Sequence, residues 1–264
     1  MIVLGQVLVV FKIESFYFPV IWYGYILLVD GLVFMIKGKS LIKDYTKNFL
    51  ALIPLSVFFW WAFEFLNKFI QNWQYLGDSH YSSLQYFLLA SVSFSTVLPA
   101  IFETSDLINA LSLFKKLRVK RKFKIKRLFL CSLICVGIIS LILPIFFPRY
   151  TFPFVWLTFF FLLDPINYMK KQPSIIRDLS NGELGIPLSL LLSGIVCGFF
   201  WEFWNYWAIP KWVYSIPFFD FYRVFEMPMI GYIGYLPFAW ELYAMYHFSR
   251  FLMKKIPKIT FFKT

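Results

Sequence analysis

The chain repeats itself, and each repeated block lies in or beside an apolar run. Phe18 opens FPVIWYGYILLVDGLVFMIKGKSL and Phe152 opens FPFVWLTFFFLLDPINYMKKQPSI. Both read Phe-Pro-x-x-Trp, then an apolar run ending in one aspartate (Asp30, Asp164), then basic residues and a serine (Ser40, Ser174). Next, FWWAFEFLNKFIQNW carries Glu64 and Asn67 with Trp73-x-Tyr75 behind them. FFWEFWNYWAIPKWVY carries Glu202 and Asn205 with Trp212-x-Tyr214. Pro99-x-x-x-Glu103 then answers Pro237-x-x-x-Glu241. The offset is 134 at the first block and 138–139 at the later ones, so a few inserted residues account for the drift. Blocks recurring in one order at a nearly constant offset are the mark of a duplicated structural unit.

The runs are too apolar for a soluble domain. The chain is 60% hydrophobic and 15% charged, against about 25% charged in soluble domains. Its mean hydropathy is +0.68. Apolar stretches of about 20 residues match the thickness of a bilayer core. The expected class is an all-α integral membrane protein with about seven transmembrane helices. The spans fall near 17–36, 49–70, 84–103, 128–147, 152–169, 187–207 and 228–249.

Loop charge orients these spans. Lys37, Lys39, Lys43 and Lys47 follow the first. After the third comes KKLRVKRKFKIKR, nine basic residues in thirteen. Lys170, Lys171 and Arg177 follow the fifth, and Arg250, Lys254, Lys255, Lys258 and Lys263 follow the seventh. The loop after the second span holds Asp78 and His80 and no lysine or arginine. The link after the fourth is only Pro148–Thr151. The loop after the sixth balances Lys211 and Arg223 against Asp220 and Glu226. Positive loops stay in the cytoplasm, so the N-terminus is expected outside and the C-terminus inside. The net charge of +12 then needs no nucleic acid. A basic loop facing anionic lipid explains it. Trp22, Trp73, Tyr75, Trp212 and Tyr214 suit interfacial belts.

This arrangement divides the chain into an N-terminal interfacial segment or partial helix (1–16), a first three-helix repeat (17–105), and a basic cytoplasmic loop plus linking helix (106–150). A second three-helix repeat (151–249) and a basic cytoplasmic tail (250–264) follow. The single linking helix makes the two repeats parallel, and such repeats commonly place a site at their interface. The start of the chain has no basic leader and does not read as a cleaved signal peptide. A multi-pass protein of the cell membrane, of the prokaryotic inner-membrane type, is the expected setting.

Carboxyls in hydrocarbon cost about 2.5–3.5 kcal/mol even on the lenient scale. Glu64, Glu202 and Glu241 therefore need a cavity, a partner or a proton. Glu103 lies nearer a span end, and Asp30 and Asp164 sit where lysines can anchor them. Glu64 shares a helix face with Asn67, and Glu202 with Asn205. Each asparagine can donate to the carboxyl or to a shared ligand. Pro237, one turn before Glu241, is expected to free a backbone carbonyl. Gly231 and Gly234 suit close helix packing. Cys131, Cys135 and Cys197 form no disulfide pattern and read as buried thiols. His80 and His247 lack partners at metal-ligand spacing, so no metal is implied, and no cofactor can be named.

The run Trp201, Glu202, Asn205, then Trp212-x-Tyr214, then Gly234-Tyr235-x-Pro237 and a carboxylate, in tandem three-span units, resembles the integral-membrane lycopene cyclase domain. The likeness covers both units. That family places two carboxylates two and three residues after the proline, whereas here Ala239 and Trp240 hold those places and the acid is Glu241. The resemblance implies redox-neutral cyclisation of a long isoprenoid or carotenoid. An acid protonates a terminal alkene, the cation closes a ring, and a base removes a proton. Apolar surroundings favour a neutral acid, and aromatic faces stabilise a cation. Glu202 or Glu241 would be the acid, with Asn205 orienting it and Glu64 and Asn67 contributing from the first unit. Trp201, Trp204, Trp212, Tyr214, Tyr235 and Pro237 would bind substrate. A proton- or cation-coupled transporter, a lipid-binding protein without catalysis and a purely structural partner are the alternatives.

Overall fold

The computed structural model describes residues 1–11, 16–77, 81–120, 122–218 and 220–254. Asp78, His80 and the tail from residue 255 to Thr264 lie outside them. The elements, in order, are α1 (Ile2–Val10), α2 (Tyr17–Lys37), α3 (Leu41–Asp44), α4 (Thr46–Ile70), β1 (Trp73–Leu76), α5 (Ser83–Phe94) and α6 (Val97–Ala110). Then come α7 (Arg127–Phe146), α8 (Pro148–Thr151), α9 (Val155–Met169), α10 (Ile175–Ser180) and α11 (Gly185–Tyr206). β2 (Lys211–Tyr214), β3 (Arg223–Val224), β4 (Met227–Pro228) and α12 (Tyr235–Leu252) complete the chain.

Six helical segments are long and apolar enough to cross a membrane: Tyr17–Lys37, Thr46–Ile70, Ser83–Ala110, Arg127–Phe146, Pro148–Met169 and Gly185–Tyr206. The protein is an all-α membrane protein on that count. The 18-residue α12 has the length, about 27 Å at about 1.5 Å per residue, but carries Glu241, His247 and Arg250. It tolerates them because it is enclosed by protein. Phe238 to His247 are buried except Trp240, against α9 and α11. Its counterpart α6 is buried at every residue from Val97 to Asp106. These two helices form the middle of the bundle.

The third span is broken. The hydroxyls of Ser95 and Thr96 turn back to the carbonyls of Val92 and Ser93, and Pro99 has no N–H to return to Ser95. Ser56 of α4 bridges the break, donating to the Phe94 carbonyl and accepting from the Leu98 N–H. Pro99 and Pro237 each fall third in their helix. N–H groups of a first turn have no helical partner, so neither proline frees a carbonyl within a helix as its spacing suggested.

The repeated aspartates do matching work at one end of the bundle. Asp30 accepts from Ser40 Oγ at 2.9 Å and the Ile42 N–H at 2.8 Å. Asp164 accepts from Ser174 Oγ at 2.8 Å, the Ile175 N–H at 3.0 Å and the Ile176 N–H at 2.9 Å. Each serine also caps the short helix it precedes, α3 or α10. Asp30 and Asp164 thus hold the turn after their own span, which is more specific than anchoring by lysine.

At the opposite end β1 pairs antiparallel with β2: Trp73 with Tyr214, Gln74 with Val213, and Tyr75 with Trp212. Tyr17, the first residue of α2, donates to the Pro210 carbonyl here. The short α1 packs on α2, with Gly5 against Ile21 and Gly24 against Ile2. A Cβ on Gly5 would come within 2.1 Å of the Ile21 side chain.

Several expected placements differ. Trp22 is fully buried against Trp201 and Trp204 at ring distances of 5.2 and 5.1 Å, so it is core and not an interfacial belt. Cys131 and Cys135 face outward, and only Cys197 is buried, beside Thr104. An outward thiol on the markedly apolar α7 meets lipid, where a weakly polar group costs little. Gly231 does allow close packing, against Met227, but a Cβ on Gly234 would meet nothing nearer than 3.7 Å. The tight contacts lie instead at Gly194-x-x-x-Gly198, where a Cβ would meet the Tyr235 carbonyl at 2.1 Å and the Tyr235 ring at 2.4 Å.

Candidate functional site

Below the β1–β2 ladder lies a cavity of about 640 Å³ lined mainly by aromatic rings. That volume is within the range of about 300–1,000 Å³ usual for small-molecule sites. Residues from both units line it: Trp60, Trp73 and Tyr75 from the first, Trp156, Trp201, Trp212, Tyr214, Tyr235 and Pro237 from the second. Trp204 does not; it packs on Trp22, Tyr25 and Phe200. Among the described residues no aspartate or glutamate lines the cavity.

The carboxylates stand one layer behind. Glu202 is fully buried. Its Oε1 accepts from Tyr235 OH at 2.5 Å, Tyr214 OH at 2.8 Å and Trp212 Nε1 at 3.4 Å. Its Oε2 has no partner among the described residues. The Oε1 of Glu64 accepts from Tyr75 OH at 2.6 Å, Trp60 Nε1 at 2.9 Å and Trp73 Nε1 at 3.1 Å. A carboxylate can take several donors on one oxygen, and charge-assisted bonds of this kind run about 2.5–2.7 Å when the donor is a hydroxyl. The groups presented to the cavity are therefore phenols and indoles, each backed by a carboxyl. Tyr75 and Tyr214, on the strands, have phenol pKa values well above the usual 10.0, first because of burial and then because of the carboxylate beside each.

The asparagines do something else. Asn205 donates to the Trp212 carbonyl at 2.7 Å and accepts from the Trp212 N–H at 2.9 Å. Asn67 donates to the Trp73 carbonyl at 2.8 Å and accepts from the N–H groups of Asn72 and Trp73. Each amide matches a peptide unit edge to edge and clamps the start of its strand. The expected contact with the carboxyl is replaced by this clamp, because helix ends leave backbone groups that need partners. The asparagines position the Trp-x-Tyr strands, and the strands bring the tyrosines to the carboxyls.

Glu241 does not join Glu202 at the cavity. Its Oε1 accepts from the Phe159 N–H of α9 at 2.8 Å, tying two helices of the second unit together. Pro237 lines the cavity while Glu241, one turn on, faces α9, so the expected convergence of Glu202 and Glu241 is not what forms. Its counterpart Glu103 is fully buried near Asp30, Asp106 and Lys37, and Lys37 is paired with Asp106 at 2.7 Å.

The two carboxylate sites differ by one exchange. In the first, α4 supplies the third donor, Trp60, one turn before Glu64. The matching residue one turn before Glu202 is Gly198. The space it leaves holds the ring of Tyr235, whose counterpart on α6 is Val97. Tyr235 thus comes from the next helix to do what Trp60 does within its own. Trp156 was the lining residue least visible beforehand. It stacks on Phe63 at 5.7 Å and 20° and lies 5.7 Å from Trp73. Its signal was the repeated Phe-Pro-x-x-Trp block. Gly194-x-x-x-Gly198 has the small-residue spacing of a close helix contact but was not singled out from the sequence, where Gly231 and Gly234 were.

No family model matches this sequence, and neither a curated protein nor a solved structure shows a match to it. The fold and site therefore define the class on their own: a multi-pass helical membrane protein with an aromatic cavity backed by two carboxylates.

Proposed function

We propose that the protein binds a long isoprenoid or comparable unsaturated apolar molecule and isomerises it by acid-initiated, redox-neutral cyclisation, as its resemblance to the lycopene cyclase domain implies. The observation that carries this reading is that two carboxylate–phenol centres, Glu202 with Tyr214 and Tyr235 and Glu64 with Tyr75, back one aromatic cavity. In the forward step, entered with Glu202 protonated, Tyr235 passes a proton to a terminal alkene carbon and recovers one from Glu202, which is left as a carboxylate. The π bond becomes the new C–H bond, and the cation closes a ring by taking the electrons of a second alkene. Tyr75 hands its own proton to the Glu64 carboxylate as it takes one from a neighbouring carbon, and the electrons of that C–H bond become the new double bond. No electrons are gained or lost, and solvent exchange resets the two acids. The faces of Trp156 and Trp73 stabilise the cation without offering a lone pair that would trap it.

The same proposal takes α12 as the seventh span, with the N-terminus outside, the C-terminus in the cytoplasm and the two three-helix units parallel. Support comes from the strand ladder, where Gln74 faces its own counterpart Val213 and each tryptophan faces the other unit's tyrosine. A two-fold relation pairs equivalent residues in this way. It also comes from the loop charges, which are concentrated at the α3 and α10 end and favour the cytoplasmic side there.

A binding protein without chemistry is the second reading. It is favoured by the fact that every donor on Glu64 and Glu202 comes from the chain itself, so the carboxyls also serve as latches. Mass spectrometry of molecules co-extracted with the purified protein identifies the ligand, and turnover of that ligand separates the readings. Glu202→Gln and Tyr235→Phe are each expected to lower turnover by about 10²–10⁴-fold, the usual worth of general acid catalysis, while ligand still binds. Full turnover in both variants removes the acid step and leaves binding alone.

A further inference from the structure

At the opposite end of the molecule from the cavity, three segments converge on an open cleft. Arg127 begins α7, Lys170 and Lys171 follow α9, and Arg177 lies on α10; all four line it. Among the described residues no acidic side chain lines the cleft. Ile125 and Met169 form its apolar flank, above the buried Leu130. Arg177 has the Asp164 carboxylate within electrostatic reach, but four like charges gathered in one cleft still repel one another and favour an anion.

Two details show that these cations are held in place. Arg177 donates to the Tyr168 carbonyl and lies 5.0 Å over the Tyr168 ring, yet its Nε is buried with no partner among the described residues. Lys171 sits at φ +56, in the left-handed region. In the first unit the left-handed turn after the matching span is made by Gly38, at φ +70. Glycine adopts that conformation without cost, whereas a residue with a Cβ does not. The second unit makes its left-handed turn with Lys171, one position before the counterpart of Gly38, and strain accepted at a charged residue facing the cleft fits a role for the side chain. The first unit's basic residues after its matching span are used otherwise in part. Its Lys37 is paired with Asp106, and Lys43 lies over Phe34.

We propose that this cleft is a phosphate-binding site filled by the headgroup of an anionic phospholipid, whose acyl chains run along Ile125 and Met169. Arginine forks match phosphate oxygens, and lysines add point charge. Basic pockets between spanning helices at the cytoplasmic face suit such headgroups. The site is independent of the proposed cyclisation, since none of its residues reaches the cavity.

The test uses the full chain in detergent, with affinities for cardiolipin, phosphatidylcholine and inorganic pyrophosphate read by native mass spectrometry, and apparent melting temperature read in parallel. Cardiolipin is expected to bind at least ten-fold more tightly than phosphatidylcholine. Arg127→Gln and Lys171→Gly should each weaken cardiolipin by about five-fold, the worth of one cation near an anionic lipid. Lys171→Gly should at the same time raise the melting temperature of the lipid-free protein, because the strained turn is relieved. A purely structural lysine would not give these opposite signs. Pyrophosphate that displaces cardiolipin at similar concentration would support the phosphate site with a soluble anion as occupant. Pyrophosphate without effect supports the lipid. Equal affinity for cardiolipin and phosphatidylcholine, or wild-type cardiolipin affinity in both variants, overturns the proposal.

Discussion

The exchange between the two carboxylate sites can be tested by transplanting it. Replacing Tyr235 with valine gives the second unit the residue of the first. It removes the 2.5 Å bond to Glu202 and leaves a hole beside Gly198. A hydrogen bond to a charged group is worth about 1.5–3 kcal/mol, and large-to-small changes in a core cost about 2–5 kcal/mol; because the terms overlap, a loss of about 3–5 kcal/mol is expected. Replacing Gly198 with tryptophan alone puts an indole where the Tyr235 ring lies, since even a Cβ there is 2.4 Å from that ring. Overpacking costs about 1–3 kcal/mol. In the double variant the indole fills the hole and its N–H reaches Glu202 from one turn away, as Trp60 reaches Glu64 at 2.9 Å. The two changes should then couple favourably by about 2 kcal/mol, within the range for contacting residues. At about 2–4 °C per kcal/mol, the double variant should melt roughly 4–8 °C above the additive expectation. Size-exclusion chromatography after heating in detergent, at one fixed heating time, gives the four melting temperatures of the cycle. A double variant that melts at or below the sum of its singles refutes the idea that Trp60 and Tyr235 fill equivalent roles.

Three further outcomes are expected. Asp164→Asn should lower the melting temperature more than Asp30→Asn does, because Asp164 serves three donors and Asp30 two; equal losses would mean the turns are held by other contacts. The Tyr75 and Tyr214 phenols ionise only well above 10.0 in the folded protein, whereas in the unfolded chain they ionise near 10. Their contribution to stability is therefore complete below pH 10 and is lost as pH rises through the folded values, so urea unfolding followed from pH 8 to pH 11 should show stability falling only above about pH 10, and less so in Tyr75→Phe. In a cysteine-free background, single cysteines at positions 80 and 211 should label from outside intact cells and those at 122 and 264 should not; strong labelling at 122 sinks the seven-span reading.

Much of the fold is legible because membrane segments leave few choices. A run of about 20 apolar residues must satisfy its own backbone, and only a helix does so within one segment. The duplicated Asp30 and Asp164, Glu64 and Glu202, and Trp-x-Tyr strands were visible because buried polar groups need fixed partners at fixed spacing. What spacing does not reveal is the partner itself. Asn67 and Asn205 share a helix face with their glutamates, yet they bond the backbone beyond the helix end, because that backbone had no other partner. Glu241 lies one turn from a cavity-lining proline, but its helix turns it toward α9. Trp22 looked like an interfacial residue by position along its span, whereas its burial depends on Trp201 and Trp204, well over a hundred residues away. The Tyr235 contact depends on Gly198 being absent as a side chain, and an absence carries little pattern.

The cavity depends on the duplication. A single unit would end in one strand with an unpaired edge, and open edges are not tolerated where water is scarce. Two copies solve this by pairing β1 with β2, so that each tryptophan meets the other unit's tyrosine. That same pairing fixes both tyrosines above one space, and both carboxyls behind them. Once two equivalent acids stand behind one cavity, they need not stay equivalent. Glu64 is held by donors from its own helix and strand and is partly exposed, while Glu202 is wholly buried and depends on Tyr235 from α12. A proton donor and a proton acceptor need such different surroundings, and a ligand-binding shell does not. The Gly198 and Tyr235 pair is therefore where the two readings of this protein diverge most. If the site only binds, the second unit gains nothing from exchanging a local indole for a distant phenol. If it moves protons, the exchange puts an ionisable hydroxyl between Glu202 and the ligand.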